Sequence, residues 1–107
     1  MAKAKQFDAV EYLDSPELIA AYLTEALETN DQTLNIKAIG NAARSRGMTE
    51  VAEKAGVSRE NLYRALRGDV KPEFGTIIKV LQALGISLVA QAQNAPRAAR
   101  RIAVLRG

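Results

Sequence analysis

Residues 58–64 bring together side-chain types that hydrogen-bond to the edges of bases. Ser58, Arg59, Glu60, Asn61, Tyr63 and Arg64 fall within one short stretch. Arginine makes paired hydrogen bonds to guanine, asparagine does the same with adenine, and glutamate accepts from the amino group of cytosine. Arg67 and Lys71 lie further along, where contact with a phosphate is the more natural chemistry. Thr49 stands where a helix starts, and a helix N-terminus turns free amides toward an anion. Glu60 and Arg64, four residues apart, can also be read as a surface ion pair.

Such side chains work only if two short helices hold them, and residues 48–67 are patterned for that. Ala52 is small where a second helix crosses closely, and Gly56, four residues later, can take the positive φ that ends a helix abruptly. Val57 can plug the corner, Ser58 can cap the next helix, and Val51, Leu62 and Ala65 face inward. This is a helix-turn-helix pattern, in which the N-terminal end of the second helix meets the major groove. A plain helical hairpin is the alternative.

The flanking elements are also helical. Asp14-Ser15-Pro16-Glu17 is a helix start, followed by an apolar stripe of Leu18, Ile19, Tyr22, Leu23, Ala26 and Leu27 that runs out near Thr29-Asn30. Asn30 or Asp31 caps a second helix to Arg46, with Leu34, Ala38, Ile39, Ala42 and Ala43 inside and Gly47 as the stop. Gly40 within it permits a close crossing. Thr49 is expected to cap a helix through Ala55, and Ser58 another through Arg67. Pro72-Glu73 opens a last helix with Phe74, Ile77, Ile78, Leu81 and Leu84 on its inner face. Residues 86–91 read as a short strand or extended piece, and residues 92–107 as a flexible basic tail.

Composition narrows the chemistry. The 107 residues contain no His, no Cys and no Trp, which removes histidine acid–base catalysis, cysteine nucleophiles, disulfides and ordinary zinc sites. The chain is therefore expected not to be an enzyme and to need no metal, cofactor or small-molecule substrate. No run of 18 apolar residues crosses a membrane, and no apolar run follows the N-terminal lysines, so a cytoplasmic location is expected. A core of Ala, Leu, Ile and Val with only five aromatic residues suits an all-α domain spanning 1–107. Charge is divided unevenly. Residues 1–31 hold seven acids against Lys3 and Lys5, whereas residues 32–107 hold thirteen Lys/Arg against five acids. One part suits a polyanion and the other a basic partner.

Residues 48–90, including the Gly68 turn and the closing FGTIIKVLQALGISL of 74–88, resemble the Xre/Cro-type (lambda repressor-like) domain. The wider chain resembles the addiction-module antidotes, HigA-like antitoxins, through FDAVEYLDSPELIAAYLTEALE (7–28), AIGNAARSRGMTEVAEKAGVSRENLYRAL (38–66) and Pro72–Leu88. The resemblance implies a five-helix fold with a core at 32–90, a short C-terminal strand and the basic tail. It implies a type II antitoxin that neutralises a RelE/HigB-like RNase toxin and represses its own operon as a homodimer on double-stranded operator DNA. Recognition positions then fall on Ser58, Arg59, Glu60, Asn61, Tyr63 and Arg64. Many Xre domains have Gln where this chain has Thr49, a departure at one phosphate contact. The acidic segment 7–31 is a candidate toxin contact through Asp8, Glu11, Tyr12, Glu17 and Glu25, against the alternative that it only packs on the domain or at a dimer seam. A stand-alone Xre-family repressor without a toxin is the alternative function.

Overall fold

Caps and glycines cut the chain into short helices. The computed structural model describes residues 13–93, and these form five α-helices: α1 (Pro16–Leu27), α2 (Gln32–Arg46), α3 (Met48–Ala55), α4 (Arg59–Ala65) and α5 (Phe74–Ala83). Ser15 caps α1 by accepting from the Leu18 amide at 3.1 Å, with Pro16 in the first turn. Asp31 caps α2 by accepting from the Leu34 amide at 3.2 Å, while Asn30 before it takes φ 60°.

Gly47 ends α2 and begins α3 at once. Its amide bonds to Ala43 and Arg44, and its carbonyl accepts from Val51 at 3.0 Å. Because one residue serves both helices, α3 starts at Met48, and Thr49, expected to be its cap, lies inside the first turn with no side-chain cap bond formed. Gly56 closes α3 at φ 75°, the left-handed conformation that lets the chain turn within two residues to the Ser58 cap of α4. α4 ends at Ala65, two residues before the expected Arg67.

α1 packs on α2, α2 on α3, and α3 on both α4 and α5. The core joins Leu13, Ile19 and Leu23 to Ile39, Val51, Leu62, Val80, Leu81 and Leu84, with alanines 26, 38, 42, 43, 52 and 65 filling the places where helices approach. Tyr22, Val57, Ile77 and Ile86 pack against it from partly open positions. Gly40 has the role its position predicts. A Cβ there would lie 3.2 Å from the Leu66 carbonyl oxygen, so α2 passes the end of α4 almost backbone to backbone.

Several apolar positions expected inside are outside. Phe74 is 71% exposed, Leu34 is 44% exposed, and Leu18 and Leu27 are exposed on α1. Helical period says which side of a helix is apolar, whereas burial also needs a neighbour to cover it. The strand expected at 86–91 is likewise absent. Residues 86–91 form no strand, and the described residues contain none elsewhere for them to pair with. The Ile86 amide instead bonds back to the Leu81 carbonyl at 2.9 Å, closing α5 through Gly85 at φ 80°. Most of the expected basic tail, from residue 94 onward, lies outside the described residues.

The core and the turn have separable energetic roles. Leu62→Ala should lower the unfolding free energy by about 2–5 kcal/mol, since the side chain is fully buried. Gly56→Ala should cost about 1–2 kcal/mol through its left-handed backbone alone, because a Cβ there meets nothing. Urea titration reads both as a lowered midpoint with an unchanged slope.

Candidate nucleic-acid interface

α4 divides into two faces. Leu62, Ala65 and the following Leu66 are buried, whereas Arg59, Glu60, Asn61, Tyr63 and Arg64 are all exposed. The structure thus brings the sequence-predicted base-reading residues together on one outward surface, with Ser58 at its head. The Ser58 hydroxyl accepts from the Asn61 amide at 3.0 Å, which fixes the first turn.

The outward side chains also order one another. The Arg59 guanidinium lies over the Tyr63 ring at 5.5 Å and its Nη2 reaches the Tyr63 hydroxyl at 3.4 Å. Stacking of this kind holds an arginine over an aromatic face without neutralising it. Arg64 Nη1 donates to Asn61 Oδ1 at 3.3 Å. The Glu60–Arg64 ion pair suggested by spacing is therefore not formed; the ion pairs among the described residues are Glu50–Lys54 and Arg67–Asp69. Arg64 turns to a neutral amide, and Glu60 is exposed.

The three residues assigned to phosphate lie apart. Thr49 is exposed in the first turn of α3. Arg67 Nε holds Asp69 at 3.2 Å, which occupies part of its fork. Lys71 borders a separate hollow of about 250 Å³ with Gln32, Thr33, Ile36 and residues 68–70.

Sequence reasoning missed a row on α2. Lys37, Asn41 and Arg44, at i, i+4 and i+7, face Tyr63 and Arg67 across a cleft of about 340 Å³ whose floor is Gly40, Met48 and Leu66. Asn41 is anchored from behind. Its Nδ2 donates to the Tyr22 hydroxyl at 2.8 Å, and its Oδ1 accepts from Arg44. The i, i+4, i+7 polar stripe was visible in the sequence, but its proximity to α4 was not.

A family model described as "Probable addiction module antidote protein" matches residues 3–92. The chain belongs to that antidote family. It is also 44% identical over 87 residues to a protein of Haemophilus influenzae (strain Rd) described only as an uncharacterized protein, with 81% of this chain and 90% of that one covered. No solved structure gives a significant match.

An addiction-module antidote has a toxin as its counterpart, which directs attention to α1. Glu17, Leu18, Ala21, Thr24, Glu25 and Glu28 fall on one side of the helix and are all exposed, opposite buried Ile19, Leu23 and Ala26. Of the acidic candidates for partner contact, Glu17 and Glu25 lie on this face; Asp8, Glu11 and Tyr12 lie outside the described residues. Tyr22, part of the apolar stripe expected on the first helix, packs on the core with its hydroxyl accepting from Asn41. No helix of the described residues is long and apolar enough to cross a membrane.

The caps give a test of this local architecture. Ser58→Ala should destabilise the antidote by about 1 kcal/mol, as loss of a bonded N-cap does. Thr49→Ala should stay within about 0.5 kcal/mol, since that side chain caps nothing and is exposed. Equal losses in chemical denaturation would contradict the placement of the two helix starts.

Proposed function

We propose that the chain is the antitoxin of a type II toxin–antitoxin module, which neutralises a small RelE/HigB-like RNase toxin and represses its own operon. In this reading α3 and α4 are an Xre-type helix-turn-helix, and α4 enters the major groove of operator DNA. The observation that supports it best is the exposed row on α4. Arg59, Glu60, Asn61, Tyr63 and Arg64 keep base-reading groups outward, and neither arginine is neutralised by a carboxylate. The protein acts by binding and has no catalytic step.

The acidic face of α1 is proposed as the toxin contact. The face carries three exposed carboxylates, Glu17, Glu25 and Glu28, together with exposed Leu18, and a basic RNase surface would be drawn to them, a complementarity that speeds association more than it deepens affinity. Homodimerisation is part of the same reading, because one seven-residue helix reads few base pairs and a two-fold dimer reads two half-sites one turn of DNA apart. Leu88 and Val89, each about half exposed, are apolar groups available to such a seam.

Two measurements test the reading. Arg59→Ala combined with Arg64→Ala should weaken binding to a duplex from upstream of the chain's own coding sequence, by about 1–3 kcal/mol for each base-reading arginine. Unchanged affinity would defeat DNA reading by α4. Co-expression with the small basic protein encoded next to it should restore growth, and Glu17→Lys with Glu25→Lys should slow formation of that complex. Failure of the unaltered chain to rescue growth, with DNA binding intact, would leave a stand-alone repressor.

A further inference from the structure

We propose that the cleft between α2 and α4 is a second nucleic-acid site, one that grips the phosphodiester backbone beside the groove that α4 reads. The inference rests on the reading of α4 as a DNA-contacting helix and adds α2 to the contact surface.

The cleft has the composition such a site needs. Lys37 and Arg44 supply two cations, Arg67 a third whose Nε is shared with Asp69, Asn41 and Tyr63 supply neutral polar groups, and no carboxylate lines the cleft itself. Among the described residues neither Lys37 nor Arg44 is in an ion pair, so their charge is available to a ligand. A phosphodiester offers the matching chemistry: anionic oxygens for the flat arginine forks and the lysine ammonium.

Its geometry follows from the backbone. α2 and α4 touch at Gly40 and Leu66, and the cleft opens beside that point, with the Arg44 guanidinium 3.7 Å from where a Gly40 Cβ would stand. A Cβ at Gly40 would crowd the Leu66 carbonyl, at 3.2 Å, and would only touch Arg44. The Lys37 stem runs along Gly68, 3.4 Å from where a Cβ would stand at that φ 93° position, which aligns it across the mouth. Asn41, bonded to Tyr22 behind it, is a positioning residue that holds Arg44 over the cleft.

Nucleic acid is favoured over an acidic protein because the cleft is continuous with the α4 surface. Tyr63 both lines the cleft and stacks with Arg59, and Arg67 lines it from just past the end of α4. A strand whose bases meet Arg59 and Arg64 would have its flanking phosphates within reach of α2.

The test compares the full chain with Lys37→Ala/Arg44→Ala and with Arg59→Ala/Arg64→Ala. Each is titrated against a duplex from upstream of its own coding sequence and against a scrambled duplex of equal length, between about 50 and 200 mM salt. Lys37→Ala/Arg44→Ala should bind both duplexes about tenfold more weakly, keep the preference between them, and lose about 1–2 from the slope of log affinity against log salt. Arg59→Ala/Arg64→Ala should instead lose the preference. Both α2 side chains are exposed, so thermal melting of the variant should match the parent, and Lys37→Glu alone, which keeps Arg44, should reproduce the uniform weakening.

Parent-like affinity and slope in Lys37→Ala/Arg44→Ala, alongside lost preference in Arg59→Ala/Arg64→Ala, would overturn the cleft and leave the α4 reading standing. A parent chain that binds neither duplex would overturn both. Intact DNA binding combined with weakened capture of the purified neighbouring toxin would assign the cleft to a protein and overturn its assignment to nucleic acid.

Discussion

α4 is seven residues long, and everything on its outer face depends on the burial of Leu62. Isolated helices shorter than about 12–15 residues are marginal in water, so α4 exists because the core holds it. Leu62 inserts fully, Ala65 and Leu66 close behind it, and Ser58 satisfies the first turn. With one face locked, the other cannot rotate. Arg59, Asn61, Tyr63 and Arg64 are therefore presented as a set, and each side chain's local bonds refine a direction already set by packing.

The Gly40–Leu66 approach applies the same constraint from the other side. No side chain at Gly40 stands between the two, so α2 passes close to the end of α4 at this point. The polar row of α2 thereby becomes part of the same surface as α4, although the two are separated by an entire helix in sequence. Charge is partitioned by this arrangement. The acids of α1 and the cations of α2 and α4 belong to neighbouring elements joined by the Tyr22–Asn41 hydrogen bond.

What the sequence disclosed follows from the range of each interaction. The Ser58 cap, the helix starts at 14–17 and at Asn30 or Asp31, and the stops at Gly47 and Gly56 were legible, because each is decided within three or four residues. The buried face of α4 was legible for the same reason. Thr49 was misplaced by one shared residue: nothing local announces that Gly47 serves two helices. Phe74 and Leu34 were placed inside on their period alone, which is silent about whether anything covers them. Residues 86–91 have strand-like composition, but a strand is a pairing, and the described residues hold no partner. The Lys37–Asn41–Arg44 row was readable as a polar stripe, yet its meeting with Tyr63 and Arg67 is a tertiary fact.

The alanines of the core have a thermodynamic consequence. Alanine has no rotamers to lose, so filling the helix crossings with residues 26, 38, 42, 43, 52 and 65 adds no side-chain entropy loss on folding. It also buries little apolar area at each crossing. Since exposure of apolar area dominates the heat capacity of unfolding, the stability curve of this domain should be shallow, with its free energy changing slowly on either side of its maximum.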